Sequence, residues 1–250
     1  MKKVTIIGSG NVAQHLIKAF SDNVDVTLQQ ILVRNVESIQ NVVELEKVIT
    51  KFEDLVEADL YVIAVSDSAI TEVSALLPFS DRLVSHTSGT MPIDSLDSKN
   101  RRAVFYPLQT FSKTKSVDFK KVPICLEAEN EIDLDNISII GNLISDNVNF
   151  INSQQRKSLH VAAVFVSNFT NHLYAIGEQI CKDNSTPFDI LKPLIRETAE
   201  KINYMNPQQA QTGPAIRRDQ NTIEAHLKFI QNNHYKKIYS LLTESIQHDR

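Results

Sequence analysis

The sequence has few glycines, few cysteines and no long apolar run: six Gly and two Cys in 250 residues, with nothing near the ~20 apolar residues of a membrane-spanning helix. Cys125 and Cys181 fit neither a metal-ligand spacing nor a disulfide framework, so we expect each to be a small buried side chain and predict no metal centre. The net charge of −4 and the pI near 6.0 leave no basic footprint for nucleic acid. The apolar stretch that follows "MKK" ends at Gly8, too early for a signal peptide. We therefore expect a cytoplasmic protein with neither a membrane nor a nucleic acid as partner.

What the first part of the chain does contain is an alternation of strand and helix patterns. Strands are predicted at Val4–Ile7, Val26–Val33, Leu60–Val65, Leu83–His86, Ala103–Tyr106, Pro123–Leu126 and Val148–Ile151. Helices are predicted at Val12–Ser21, Ser38–Lys47, Ser68–Leu77 and Leu134–Ser145. Such alternation is typical of an α/β fold with right-handed crossovers and a mostly parallel sheet.

After residue 153 the strand signals stop and three long helical patterns follow. They begin at "SQQRKSLH", "PFDILKP" and "DQNTIEAH", and the third is predicted to run on through "SLLTESI". We therefore predict a Rossmann-type α/β domain over residues 1–152, followed by an all-helical domain over residues 153–250.

The glycines are concentrated where the first strand meets the first helix. The residues Gly8, Ser9, Gly10, Asn11, Val12 and Ala13 fit the pattern G-x-G-x-x-A between a strand and a helix. In that context the first glycine permits a tight turn, the second lets a pyrophosphate approach the backbone, and the small third residue allows close helix–sheet packing. The motif predicts a dinucleotide site.

The end of the second strand indicates which dinucleotide. An NAD site usually has an acidic residue there, for the ribose 2′-hydroxyl, but this strand ends in Arg34 and Asn35. Because a guanidinium suits a 2′-phosphate, NADP is predicted. Glu37 could still supply the acid, so NAD stays possible.

Two further strand ends are candidates for lining the cofactor. Val65, Ser66 and Asp67 follow the strand that begins at Leu60, and Ser88 follows the next one. The alternative is ordinary helix capping by Ser66 or Asp67.

The first long helix carries a polar stripe. At about 100° per residue, a narrow arc contains Lys157, His160, Val164, Ser167, Asn168 and Asn171. Short neutral polar groups on an otherwise apolar helix favour a substrate pocket, whereas a solvated face is the alternative.

A connector between the later helices, "QAQTGPAIRRDQ", holds a second group of polar candidates. Thr212, Arg217 and Asp219 could reach a ligand or a subunit interface. The alternative is a capped helix start at Asp219 or Asn221.

These motifs together resemble the 6-phosphogluconate dehydrogenase-like superfamily, which includes pyrroline-5-carboxylate reductase, ketopantoate reductase and β-hydroxyacid dehydrogenases. The segments "HTSGT", "FYPLQTF", "HVAAVFVSNF" and "TGPAIRRD" are similar to signatures of a little-characterised bacterial family of NADP oxidoreductases. The hydroxyacid dehydrogenases carry Lys and Asn four residues apart on this helix. Here Val161 stands four after Lys157, and Val164 stands four before Asn168, so that pair cannot be transferred.

We therefore expect an NADP-dependent reductase of a small polar carbonyl or imine compound, with the nicotinamide in a cleft between the domains. A ketopantoate-reductase-like enzyme and a non-catalytic NADP-binding sensor or interaction protein are the alternatives. Hydride transfer to a carbonyl needs a proton donor; His160 is the first candidate and Lys157 the second. Asn168 and Ser167 are expected to orient the substrate, with His86, Thr212 and Arg217 as further contacts. The resemblance and the wide apolar helix faces imply a homodimer through residues 154–250.

Overall fold

The computed structural model describes residues 1–39, 43–112 and 114–248. The chain divides into two compact units, Met1–Phe165 and Val166–Arg250. The first long helix thus begins within the first unit, and the predicted domain boundary at residues 152 and 153 stays a prediction. The units are described in turn.

The first unit is built on one eight-stranded sheet in the order β3-β2-β1-β4-β5-β6-β7-β8. Its strands are β1 (Lys2–Ile7), β2 (Val26–Leu32), β3 (Val48–Ile49), β4 (Leu60–Ile63), β5 (Leu83–His86), β6 (Arg101–Pro107), β7 (Ile124–Ala128) and β8 (Val148–Phe150). Strands β1 to β6 run parallel, β7 is antiparallel to β6, and β8 is parallel to β7. The predicted mostly parallel α/β sheet is confirmed, and the carboxyl ends of β1 to β6 share one edge.

Helices cover both faces of this sheet. They are α1 (Asn11–Ser21), α2 (Ile70–Ala75), α3 (Glu131–Ile144) and the first turns of α4 (Ser153–Ala163). Because side chains alternate along a strand, Ile6 packs in the buried cluster that includes α1 and α3, while Ile7 packs with Ile70 of α2. Burial on both faces explains why β4 is a continuous apolar run and why the buried part of β1, residues 4–7, is apolar except for Thr5.

The predicted helix Ser38–Lys47 is wrong for its described part, and residues 40–42 lie outside the described residues. Instead, short 3-10 turns form at Val36–Ser38 and Leu45–Lys47. The side chain of Asn35 accepts a hydrogen bond from the Glu37 N–H, which starts the first turn. After the second turn the chain forms the edge strand β3, which was not predicted from the sequence.

The second unit is helical, as predicted. It contains most of a π-helix (Val164–Phe169), then α5 (Thr170–Asp183), α6 (Lys192–Lys201), α7 (Pro207–Ala210), α8 (Gln220–Phe229) and α9 (Asn233–His248). The third pattern was expected to be one helix, but it is divided between α8 and α9. Asn232 causes the break, because its side chain accepts from the backbone N–H groups of His234 and Tyr235, as an N-cap does.

Large apolar side chains of the second unit are exposed. Leu194 is 61% exposed and Leu241 is 67% exposed, and Ile190 and Ile202 are exposed as well. In the described part of this unit, Ala215 and Ile223 are the buried apolar residues. No helix among the described residues is long and apolar enough to cross a membrane.

Candidate active site

The glycine turn at the end of β1 is held tightly against β4. Gly8 has a φ of +134°, a conformation that side-chain-bearing residues rarely adopt. A Cβ atom on Gly8 would lie 2.8 Å from the carbonyl carbon of Ala64 and closer still to its oxygen. The Gly8 N–H donates to the Leu32 carbonyl at 2.9 Å, which ties the turn to β2. Gly8 is thus required by the fold itself.

The space beside Gly10 is open, whereas the backbone of Ala64 closely contacts Gly8. Its φ is −71°, it stands at the N-cap of α1, and a Cβ added to it would meet no protein atom within 4 Å. Among the described residues no side chain caps α1, and its first turn carries no acidic residue. An uncapped helix N-terminus beside open backbone suits an anion. The residues present therefore fit the pyrophosphate of a dinucleotide.

The other residues of the motif have packing roles. Ala13 is fully buried and Val12 packs against the same core cluster, which brings α1 close to the sheet. The carbonyl oxygen of Ser9 accepts from the side chain of Gln14 at 2.9 Å.

Helix α1 also holds the loop that follows β6. The side chain of Asn11 donates to the Phe111 carbonyl at 3.0 Å, and the Nε2 atom of His15 lies 3.0 Å from the Ser112 carbonyl. The His15 and Phe111 rings are in contact, with centroids 4.8 Å apart. The Asn11 side chain, predicted to bind the cofactor, thus anchors this loop.

Arg34 follows β2 at the same sheet edge as Gly8. Its side chain is exposed and forms no ion pair with any described residue. The side chain of Asn35 caps the 3-10 turn, and both Asn35 and Glu37 are exposed. A free guanidinium at this position keeps the predicted 2′-phosphate contact possible.

The ends of β4 and β5 are linked by their loops. The Thr90 hydroxyl donates to Asp67 at 3.2 Å, and Val65 borders Gly8. Ser66 stands at an N-cap position, but its side chain makes no capping hydrogen bond within the described chain. The alternative of ordinary side-chain capping by Ser66 therefore gains no support.

His86 is fully buried at the end of β5. Its Nδ1 atom accepts from the Ser88 N–H at 3.1 Å, so the neutral ring carries its proton on Nε2, which lies 3.2 Å from the Pro92 carbonyl. Burial, reinforced by the positive charge of Arg156, lowers the pKa of His86 to about 4. The Ser88 hydroxyl in turn accepts from the N–H groups of Thr90 and Met91. Both predicted site residues therefore shape the loop after β5.

His160 on α4 meets the sheet at this loop. Its Nδ1 atom lies 3.0 Å from the Tyr106 hydroxyl, near the end of β6. A Cβ atom on Gly89 would lie 2.5 Å from Nδ1 of His160 and 2.8 Å from Cζ of Tyr106. Burial is the main cause that raises the pKa of Tyr106 to about 12, so the phenol keeps its proton at neutral pH. The result is a histidine with one ring nitrogen bonded to a neutral hydroxyl.

A buried ion pair anchors α4 one turn before His160. Arg156 is 1% exposed and pairs with Glu127 of β7. The same guanidinium donates to the Met91 carbonyl at 2.6 Å and to the Ser153 hydroxyl at 3.1 Å. The Arg156 guanidinium thus links the loop after β5, the start of α4 and strand β7. In the described part of the chain, no group of three or more His, Cys, Asp or Glu side chains is arranged to hold a metal.

The polar stripe does not continue as one arc. A π-helix at Val164–Phe169 interrupts the spacing of 100° per residue on which the stripe was predicted. Lys157 is exposed on α4, whereas Ser167 and Asn168 lie in the π-helix, within the second unit. Thr212 and Arg217 are exposed and also belong to the second unit.

Asp219 caps α8, accepting from the N–H and the hydroxyl of Thr222 at 3.1 Å and 2.8 Å. The capping alternative is confirmed for Asp219.

Sequence reasoning missed Tyr106, Gly89, Arg156 and Glu127. Tyr106 and Gly89 stand within the quoted segments "FYPLQTF" and "HTSGT", but no role was given to them. The scarcity of glycine was a usable signal for Gly89. Arg156 gave no such signal, because Arg is mostly exposed unless it is paired.

Comparison with known proteins identifies the family. Residues 122–246, half of the chain, match the model described as Domain of unknown function (DUF2520). A proposed NADP oxidoreductase from Bacteroides fragilis is 36% identical, over 100% of this chain and 98% of its own, with a TM-score of 0.87. This chain belongs to the DUF2520 family. Residues 3–87 of this DUF2520 protein also match the model described as NADP oxidoreductase coenzyme F420-dependent.

More distant structures share the fold. A protein from Thermotoga maritima is 22% identical, over 98% of this chain and 99% of its own, with a TM-score of 0.77. An imine reductase from Myxococcus stipitatus in complex with NADP+ is 13% identical, over 98% of this chain and 91% of its own, with a TM-score of 0.63. No curated protein sequence matches the DUF2520 protein. The predicted Rossmann-type fold and the predicted relationship to NADP oxidoreductases are confirmed, and NADP is the cofactor that the matching model and the 36% identical relative indicate.

Proposed function

We propose that the DUF2520 protein is an NADP-dependent reductase of a small polar carbonyl or imine compound, with His160 as its proton donor. One observation carries the proposal. The dinucleotide turn follows β1, and the Tyr106–His160 pair lies at the end of β6, where the parallel strands end at the same edge of the sheet. In open α/β sheets, ligands bind at that edge.

The cofactor half of the proposal depends on three groups. The open backbone at Gly10 and the uncapped start of α1 would hold the pyrophosphate, and Arg34 would pair with the 2′-phosphate. The cofactor supplies a hydride when it is bound. Loss of one charge-assisted contact of ~1.5 kcal/mol corresponds to roughly tenfold in affinity.

The proton half depends on His160. Hydride addition to a carbonyl or imine carbon leaves a pair of electrons on oxygen or nitrogen, which must take a proton. With Nδ1 bonded to Tyr106, the Nε2 nitrogen of His160 is the one that can give it. Lys157 is the second candidate for the donor. Ser167, Asn168, Thr212 and Arg217 stay the proposed substrate-binding residues, with His86 acting through the loop it holds.

We also propose that the protein is a homodimer formed through residues 154–250. The supporting observation is the exposure of several large apolar side chains on α6 and α9. Such side chains mark an interaction site when they form one contiguous patch.

The test is NADPH oxidation with a panel of 2-oxo acids and cyclic imines, in the wild type and in His160→Ala. We expect the variant to keep its NADPH affinity and to lose about 10²- to 10⁴-fold in kcat, as general acids do. Equal turnover would remove His160 from the reaction. Tight NADPH binding without turnover on any member of the panel would favour the non-catalytic sensor, and turnover on ketopantoate alone would favour the ketopantoate-reductase-like alternative.

A further inference from the structure

We propose that Tyr106 and Gly89 are positioning residues for His160: Tyr106 fixes the orientation and tautomer of the imidazole, and Gly89 leaves the space that this arrangement needs. The inference rests on the proposed role of His160 as proton donor and deepens it. It is carried by the contact geometry at one point, where three residues from β6, the loop after β5 and α4 meet.

The direction of the hydrogen bond follows from burial. Tyr106 is 9% exposed. Among the described residues, the hydrogen-bonding partner of its hydroxyl is His160. A buried O–H group that does not donate loses the free energy of an unmade hydrogen bond. The hydroxyl therefore donates to Nδ1, and the neutral imidazole carries its proton on Nε2.

The same hydroxyl can serve both protonation states of His160. In the imidazolium both ring nitrogens are donors, so Nδ1–H then donates to the phenol oxygen. When Nε2 of the imidazolium gives its proton to the reduced substrate atom, the ring becomes the neutral Nδ1–H form, whose Nδ1–H still donates to the phenol oxygen, and no proton leaves Tyr106. Nε2 then takes a proton from water, which returns the ring to the imidazolium, and loss of the Nδ1 proton restores the resting Nε2–H tautomer. The raised pKa of the phenol agrees with this role, because a tyrosinate would be costly at this buried position.

Gly89 is required for space and not for backbone conformation. It is not among the residues with positive φ, so another residue could adopt its backbone angles. An added methyl group, however, would overlap both rings, at 2.5 Å from the imidazole and 2.8 Å from the phenol. Contacts under about 3 Å force the neighbours to move, since interiors are close-packed. Alanine at this position would therefore separate the Tyr106–His160 pair.

The experiment compares Tyr106→Phe and Gly89→Ala with Gly177→Ala. Gly177 is a matched control, because its added methyl group would have Phe188 at 3.8 Å as its nearest neighbour. The first readout needs no substrate: the ¹⁵N shifts of the His160 ring in the free protein, assigned with His160→Gln. We expect two well-separated ring signals in the wild type and in Gly177→Ala. In the two test variants the signals should move towards each other as the tautomers exchange.

The second readout is turnover of the panel compound with the highest activity, with NADPH affinity measured by fluorescence. Tyr106→Phe should lower kcat about tenfold, the value of one hydrogen bond of ~1.4 kcal/mol, and leave the NADPH Kd within about twofold. If Tyr106 had only a structural role, Tyr106→Phe would lower the melting temperature but would not lower kcat while leaving the NADPH Kd unchanged.

The outcomes separate the two proposals. If His160→Ala turns over as fast as the wild type, His160 is not the proton donor and the positioning role falls with it, while the reductase activity stands. If His160→Ala loses activity while Tyr106→Phe keeps both the ring shifts and kcat, the positioning role is wrong and the proton donor stands. If Gly89→Ala does not fold, Tyr106→Phe decides alone, since Phe retains the ring and its packing.

Discussion

Gly8 and Ala64 are in such close backbone contact that even a methyl group on Gly8 would overlap the Ala64 carbonyl, whereas Gly10, two residues on, faces open space. The two glycines of the motif are therefore required for different physical reasons. The first is required by the fold, and the second is required only if something else fills the space above it.

This difference gives a paired prediction. Gly8→Ala should lower the free energy of unfolding by about 2–4 kcal/mol, through overpacking and a positive φ. Gly10→Ala should unfold within about 1 kcal/mol of the wild type, because its φ is ordinary and its surroundings are open. It should nevertheless bind NADPH at least about tenfold more weakly. Urea unfolding and a fluorescence titration measure the two effects; wild-type NADPH affinity in Gly10→Ala would exclude the pyrophosphate from this turn.

Arg34 should set the preference between the two nicotinamide cofactors. If its guanidinium pairs with the 2′-phosphate, NADPH should bind at least about tenfold tighter than NADH. Arg34→Ala should remove most of that difference, and Lys51→Ala, another exposed cation, should not. Isothermal titration with both cofactors measures it. Equal affinities in the wild type would leave Glu37 as the ribose ligand.

His86 should make the stability of the protein depend on pH. Its pKa is about 4 in the folded chain, against 6.5 for the ordinary side chain. Between these values the unfolded chain binds a proton that the folded chain does not, so the free energy of unfolding rises with pH. The contribution of His86, on the order of 3 kcal/mol, is complete above about pH 6.5 and is lost as the pH falls towards 4.

The check is the free energy of unfolding between pH 4.5 and 7 in the wild type and in His86→Gln. A glutamine side chain cannot titrate, so the His86→Gln variant should show a shallower slope. The same slope in both proteins would contradict the assigned state of His86.

The helical part should associate. We expect light scattering to give about twice the chain mass of 28.2 kDa at micromolar concentration. Leu241→Glu should shift the protein towards the monomer by placing a charge on an exposed apolar face, whereas Ile132→Glu, at an exposed position on α3, should not. A mass near that of one chain for the wild type would rule the dimer out.

The first unit was largely predictable because its signals are local. Residues 4–7 of β1 and all of β4 are buried on both faces, so both segments are apolar apart from Thr5. The Gly8–Gly10 turn lies between a strand and a helix, the context in which the motif predicts a dinucleotide site. The helix predicted over Ser38–Lys47 was wrong because its apolar periodicity is weak and the side-chain cap at Asn35 favours a short 3-10 turn instead.

The candidate site was harder to predict because it depends on contacts distant in sequence. The helical stripe predicts a role for His160, but its partner Tyr106 is 54 residues away and stands in a strand with no polar pattern. The Arg156–Glu127 pair is equally non-local, and a π-helix has no simple periodicity to detect. Local patterns predicted the glycine turn after β1, whereas tertiary packing determined what surrounds His160.

The central claim is that this protein transfers a hydride from NADPH to a carbonyl or imine carbon. The most direct measurement uses NADPH deuterated at C4, in separate 4R and 4S forms, with mass spectrometry of the product from each panel compound. We predict that one of the two labelled forms transfers its deuterium to carbon in at least one product, and that the transfer is lost at least about 10²-fold in His160→Ala. Tight NADPH binding with no deuterium in any product from either form would contradict the claim.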